Sequence, residues 1–294
     1  MKLPLLIVFI SSCLFSFGQT NMFWNNYSNS NPAMSGFEFQ RHGALTAIQN
    51  SKWFEGVDLF QANYSQRIYG QHGVGINFNG YYQLFSGQSI TLNYNYQFDF
   101  NKAGKLSAGI GIGASHVRIR DKYSDFLDSG QVFTPRNNFL LTIGATYSWK
   151  NLLVGISTSD LTVSKPPNYS SVYYPLIRLN AFISYDFQVT QNFELTPRIK
   201  YQQYNNGFNP FISNLTATFY EKYAVGISFY PNNQLGLNLG WDISNKFRVA
   251  YMVSQTVFKD FPWTYAGYYR THEFSIGYII KNPKQPFHCG SSPR

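Results

Sequence analysis

Five histidines, His42, His72, His116, His272 and His288, are the first residues to weigh for chemistry. A metal ion held by one element needs ligands at a fixed spacing, as in HxxxH or HExxH, and no pair here has it. His272-Glu273 places an imidazole beside a carboxylate. It becomes an acid–base or metal pair only if partners converge on it from other segments; otherwise it is a polar pair opening the last strand. No Gly-x-Ser-x-Gly occurs. A catalytic group assembled across strands leaves no local motif, so a hydrolase stays among the alternatives. The glycines of Gly109-Ile110-Gly111-Ile112-Gly113 look like a nucleotide loop, but they alternate with Ile and no helix follows. They read as small inward positions that leave lumen space or ease close backbone packing. Of the two cysteines, Cys13 falls in the leader and Cys289 then stands alone, which gives no internal disulfide. No catalytic, cofactor-binding or metal site is assigned, and no cofactor is expected.

Strands must position whatever the chain does. Along Ile90-Thr91-Leu92-Asn93-Tyr94-Asn95-Tyr96-Gln97-Phe98-Asp99-Phe100, apolar and polar side chains alternate without a break. The length fits the ~9–11 residues that a tilted strand needs to cross a bilayer. The same alternation runs through 139–149, 179–187, 193–201 and 223–229. Composition agrees: 13% charged, 19% aromatic, 23 Tyr and 27 Phe. Such a chain turns one strand face to lipid and the other to a wet lumen. The net charge of +9 comes from dispersed Lys and Arg, whereas a nucleic-acid binder would cluster them. A basic lumen, or basic loops near anionic head groups, accounts for it, and no nucleic-acid partner is expected.

The expected fold is all-β, an antiparallel up-and-down transmembrane barrel of about 14 strands, with a range of about 12–16 set by boundary error. Strands are expected near 37–47, 58–69, 74–82, 89–100, 104–118, 138–149, 152–159, 176–189, 193–203, 211–220, 223–230, 235–243, 247–257 and 271–280. Short turns alternate with longer connections at 48–57, 119–137, 160–175, 204–210 and 258–270, with Pro231 to Gln234 as a short exception. In an outer-membrane barrel the short turns face the periplasm and the long loops face outside. An even count then returns both termini to the periplasm. Closure is required because an open edge in lipid leaves backbone groups unpaired.

Met1-Lys2, the apolar run Leu3 to Phe17 and the small residues before Gln19 read as a signal peptide over 1–18. Ile10-Ser11-Ser12-Cys13 leaves lipoprotein processing as an alternative. Residues 19–36 form a polar segment, periplasmic or folded into the lumen. The barrel is expected over 37–280 and an irregular Pro-containing tail over 281–294. Aromatic residues in the last long loop, Phe261, Trp263, Tyr265, Tyr268 and Tyr269, are candidate contacts for a partner, since exposed rings make good anchors.

Asn31-Pro32-Ala33-Met34-Ser35-Gly36, just before the first strand, resembles the PorP/SprF family of type IX secretion outer-membrane proteins from Bacteroidetes. In order along the chain, Lys52-Trp53, Gly73 to Phe78, Leu106 to Ile110, Leu195-Thr196-Pro197 and Thr271-His272-Glu273-Phe274-Ser275-Ile276-Gly277-Tyr278 are similar to further family segments. Lys52 stands where the family has Gln. Tyr251-Met252-Val253-Ser254 lacks the Asp of the matching family strand, which points to a different cargo if that Asp sets partner choice. The resemblance implies a non-enzymatic barrel that works with the type IX machinery. Its implied role is to export, or retain at the surface, a cargo protein with a C-terminal sorting domain, such as a gliding adhesin. It singles out Asn31, Pro32, Gly36, Trp53, His272 and Glu273. A passive channel or solute transporter is the alternative, and an outer-membrane hydrolase the second alternative.

Overall fold

The computed structural model describes residues 22–50, 59–82, 85–100, 103–119, 136–162, 178–203, 211–230, 234–256 and 270–281. The strands are β1 (Phe39–Asn50), β2 (Leu59–Tyr69), β3 (His72–Tyr82), β4 (Phe85–Asp99), β5 (Lys105–Ile119), β6 (Arg136–Trp149), β7 (Leu152–Thr162) and β8 (Arg178–Tyr185). There follow β9 (Phe187–Thr190), β10 (Phe193–Gln202), β11 (Phe211–Phe219), β12 (Tyr223–Tyr230), β13 (Gln234–Asp242), β14 (Phe247–Thr256) and β15 (Arg270–Lys281). Segments β8 and β9 are two parts of one barrel strand, since both pair with β10. Each strand pairs antiparallel with its sequence neighbours, and β1 pairs with β15 from Phe39↔Lys281 to Asn50↔Thr271. The result is a closed antiparallel barrel of fourteen strands with no free edge, the arrangement that lipid demands.

Alternation decides which side each residue takes. Along β4, Leu92 is 55% exposed on the outside, while Asn95, on the inside, is fully buried. Leu45, Ile112, Ile143, Ile156, Leu237 and Ile276 make up the same outward band. At the end of the barrel with the tight turns the outward rings close up. Phe193 stacks with Phe219 at 5.0 Å, Tyr223 with Trp241 at 6.5 Å, and Phe247 meets Tyr278 at 5.3 Å. Phe98, Phe100, Trp149, Tyr185 and Phe187 extend this girdle. Rings that are apolar with a polar edge settle at the membrane–water interface.

Six tight connections lie at the girdle end; Gly70, Lys150, Tyr220 and Glu221 in them have positive φ. The opposite strand ends lead into 51–58, 83–84, 120–135, 163–177, 204–210, 231–233 and 257–269, all outside the described residues. Two details differ from expectation. β4 begins at Phe85 instead of 89, which leaves only 83–84 between β3 and β4 as a second short connection at that end. The expected strand 176–189 is interrupted at Asp186. Pro197 on β10 has no N–H to give, and the ladder between β10 and β8–β9 skips Thr196 and Pro197. There Thr196 Oγ1 donates to Asp186 Oδ1 at 2.9 Å, and the Asn151 amide donates to the Asp186 carbonyl at 2.6 Å.

Among the described residues no helix is long and apolar enough to cross a membrane; β-strands do the crossing. The helical pieces are short: Phe23–Asn25, Tyr27–Ser30 and Pro32–Met34. With the residues flanking them they lie inside the barrel and supply much of its buried apolar core: Met22, Phe23, Tyr27, Met34 and Phe37, packed with Phe182, Ile212, Tyr230 and Met252.

Candidate functional site

The lumen is occupied by residues 22–38. Near the loop end, the Met22 N–H donates to Glu273 Oε1 at 3.1 Å and to Oε2 at 3.2 Å. Glu273 is 1% exposed, so its charge is buried where this donor meets it. The chain then passes along the lumen and reaches the start of β1 at the turn end. A carboxylate inside a barrel is tolerable because the inward face is polar.

Aromatic contacts hold the first part. Tyr27 stacks on Phe182 at 4.5 Å, and Phe23 meets Trp24 and Tyr27 edge-on at 5.3 and 5.8 Å. The Arg198 guanidinium lies 5.6 Å from the Trp24 ring and Lys200 Nζ 5.6 Å from the Phe23 ring. Both cations point inward, so part of the chain's positive charge faces its own aromatic segment. Burial pushes the Tyr27 phenol well above its usual range.

Asparagines hold the middle. Asn77 and Asn93 both donate to the Ser28 carbonyl, at 2.9 and 3.1 Å. Asn63 donates to Ser28 Oγ at 3.0 Å and to Asn26 Oδ1; Asn29 donates to Asn79 Oδ1 at 2.9 Å. Ser157 Oγ donates to the Ser30 carbonyl at 2.6 Å. A helical turn this short leaves most of its backbone groups unpaired, and the wall amides satisfy some of them.

The tightest part is Asn31 to Phe37. Asn31 Oδ1 accepts from Ala33 N at 3.0 Å, capping the 3-10 turn that Pro32 opens. Asn31 Nδ2 donates to Ala145 O, Thr146 Oγ1 and Ile156 O, at 3.1, 3.0 and 3.4 Å. Asn95 donates to the carbonyls of Pro32, Ala33 and Ser35, and Ser107 Oγ to Ala33 O at 2.7 Å. Gln97 and Arg67 both reach the Gly36 carbonyl, at 3.1 and 3.3 Å, and Arg67 also reaches Phe37 O at 3.3 Å. Glu38 follows, half-buried. Burial, aided by the Asp186 charge and opposed by Arg198 and Arg248, pushes its carboxyl up to about 7. A small cleft beside it, lined by Trp24, Asn25, Tyr27, Met34, Glu38 and His42 among others, has a volume of only about 20 Å³.

The residues singled out from sequence divide into three groups. Asn31, Pro32 and Gly36 come together in the lumen. His272 and Glu273 do not form a pair: Glu273 points in to Met22, while His272 points out and its Nδ1 lies 2.6 Å from the Tyr251 hydroxyl. Trp53, the loop residues Phe261, Trp263, Tyr265, Tyr268 and Tyr269, the leader and the tail 282–294 lie outside the described residues. Among the described residues, no group of three or more His, Cys, Asp or Glu is placed to hold a metal ion. Sequence reasoning did not pick out Arg67, Asn95, Gln97, Ser107 and Thr146 as one set. The available signal was the run of inward Asn and Gln on β4, which reads equally as ordinary lumen polarity.

Comparison with known proteins extends this picture. The sequence profile described as "Type IX secretion system membrane protein PorP/SprF" matches residues 17–278. No curated protein matches in sequence. Solved outer-membrane barrels match in fold. The Ralstonia pickettii toluene transporter TbuX is 10% identical, with 91% of this chain and 95% of that one covered and a TM-score of 0.51. A deletion mutant of TodX, a monoaromatic hydrocarbon channel, is 10% identical, covering 91% and 96% with a TM-score of 0.52. Acinetobacter baumannii Omp33 is 10% identical, covering 84% and 100% with a TM-score of 0.50. At such identity these likenesses speak for the barrel and not for what passes through it. With the profile spanning nearly the whole barrel, the chain belongs to the PorP/SprF family of type IX secretion system membrane proteins.

Proposed function

We propose that this protein is a non-enzymatic outer-membrane scaffold of the type IX machinery that helps export, or hold at the cell surface, one particular cargo protein. Family membership supplies the secretion context. The observation that carries the scaffold reading is the packed lumen: residues 22–38 are bonded to β2, β4, β5, β6, β7 and β15, so the barrel's interior is committed to its own chain. A barrel filled in this way acts through its rims and loops. The long loops are placed outside the cell and the tight turns in the periplasm, on the general pattern of such barrels.

Within this reading, Phe261, Trp263, Tyr265, Tyr268 and Tyr269 contact the cargo and its C-terminal sorting domain. The test is isolation of the protein from outer membrane in mild detergent, with identification of what comes with it. A single abundant surface protein carrying a sorting domain supports the reading. Its absence from several independent preparations, in cells that display such proteins, removes it. Replacing Trp263 and Tyr265 together is expected to lower cargo display at unchanged barrel level; unaltered display discards that loop assignment.

A second reading, a solute channel, is favoured by one observation: the similar barrels include a toluene transporter and a hydrocarbon channel. It requires a steady current through the unaltered protein in a planar bilayer.

A further inference from the structure

Inward positions of a membrane barrel accept almost any polar or small side chain. Where residues 31–35 pass, this wall gives up its side chains. Gly73 and Gly75 on β3, Gly109 on β5, Gly144 on β6 and Gly155 on β7 face the segment. A Cβ at Gly109 would stand 2.5 Å from Ala33 N, and one at Gly75 2.6 Å from Ser35 Oγ. At Gly73 it would strike the Ser35 carbonyl, and at Gly144 the Asn31 amide oxygen. Glycine inside a strand weakens it and marks close approach by another backbone. Four of these positions, Gly73, Gly75, Gly109 and Gly144, meet residues 31–35 first, and Gly155 meets the Phe182 ring before Asn31; together they describe a groove with a fixed ligand.

The groove also reads chemistry. Asn31 uses both ends of its amide: the oxygen caps its own turn, and the nitrogen meets two strand carbonyls and a hydroxyl. Aspartate has the same shape but no donor, and it would face those carbonyls with a charge. Pro32 opens the turn, where a missing N–H does no harm. Ala33 fits over Gly109, and its carbonyl takes bonds from both Asn95 and Ser107.

We infer that the lumen is a sequence-selective binding site for an Asn-Pro-Ala-type turn peptide, filled here by the chain's own residues 31–35, and that this occupancy keeps the barrel shut. Three residues join the ligand to β1, so a modest intrinsic affinity is enough to keep the site occupied. A free peptide with the same turn competes for the same groove once the tethered one is weakened. The inference shares the packed lumen with the scaffold reading and makes no use of the cargo.

The test uses full-length protein in planar bilayers. The unaltered barrel is expected to stay at background current. Asn31→Asp leaves every strand residue in place, and it is expected to raise the open fraction by about ten- to a hundredfold through loss of its hydrogen bonds. A synthetic peptide of residues 22–38 is then expected to close the Asn31→Asp barrel. The same peptide carrying Asn31→Asp is expected to leave it open. Heat-modifiable mobility on a gel reports that each barrel is folded. Should Asn31→Asp give no folded barrel, Ser107→Ala, which loses one bond to Ala33, carries the same test with a smaller rise. A steady current through the unaltered protein overturns the inference. So does a folded variant as silent as the parent, or equal block by the two peptides.

Discussion

His272 and Glu273 are adjacent in the chain and separated by the barrel wall. His272 shares a 2.6 Å contact with the Tyr251 hydroxyl on the outward face, and Glu273 takes the Met22 N–H on the inward face. Adjacent strand residues point to opposite sides, so a dipeptide that looks like an acid–base pair in sequence serves two unrelated environments.

The two substitutions should therefore behave differently. Glu273→Ala leaves a buried N–H without its charged acceptor and is expected to destabilise the barrel by about 2 kcal/mol. His272→Ala loses one cross-strand contact near the interface, worth under about 1 kcal/mol. Denaturant midpoints in lipid vesicles measure both. Equal losses would mean that Met22 is not anchored by that carboxylate.

Glu38 gives stability a pH dependence. Burial first, and the Asp186 charge second, raise its carboxyl from 4.5 to about 7, against the pull of Arg198 and Arg248. The folded protein thus holds this proton where the unfolded chain has released it. Stability from this group is present below about 4.5 and is lost as pH rises toward about 7. Glu38→Gln keeps the neutral shape at every pH. Unfolding midpoints at pH 5 and pH 7.5 should fall with pH in the parent, and the fall should shrink in the variant. A parent and variant with parallel pH profiles would contradict this.

Most of the barrel is readable from sequence because lipid imposes a strict rule: every second residue in the spanning band must be apolar. Where that rule stops, legibility stops. β4 extends back to Phe85, but its first described outward position is Gln88, so the ladder continues after the alternation has ended. Asp186 fits the alternation, and nothing local shows that the strand breaks there; the cause is Pro197, on the neighbouring strand. The lumenal segment is harder still. Asn31 looks like any polar residue before a strand until Gly144 of β6 and Gly155 of β7 are brought against it, with the glycines of β3 and β5 against Ser35 and Ala33. Those glycines lie far away in sequence, and alone each reads as a strand weakness.

The outward band sets a depth scale that substitution can read. Ile112, at the centre of β5, is 49% exposed on the outer surface, while Tyr223 sits in the girdle at the turn end. Ile112→Arg is expected to cost about 2–4 kcal/mol and Tyr223→Arg about 1 kcal/mol or less from the charge itself, because the penalty falls toward the interface. Unfolding in lipid vesicles checks the order. A larger loss at Tyr223 than at Ile112 would move the membrane away from this band.

Gly36 is the pivot between the lumenal segment and β1. Its φ of 64° lies in the left-handed region, where a side chain adds about 1–2 kcal/mol of strain. Space is also lacking: a Cβ there would stand 2.6 Å from Arg67 N, 2.7 Å from Gln66 C and 2.8 Å from Gln66 O, all backbone atoms of β2 that the barrel ladder holds in place. The same residue gives its carbonyl to Gln97 and Arg67, so a shift to relieve the contact breaks those bonds too. Gly36→Ala is therefore expected to destabilise by more than the backbone strain alone, about 2–4 kcal/mol in all. The loss should fall on the lumenal segment first. Protease, or thiol probes of single cysteines introduced within residues 22–35, should gain access at denaturant concentrations where the strands remain folded. Simultaneous exposure of segment and strands would show that the two unfold as one unit, with Gly36 as part of the wall and not a pivot.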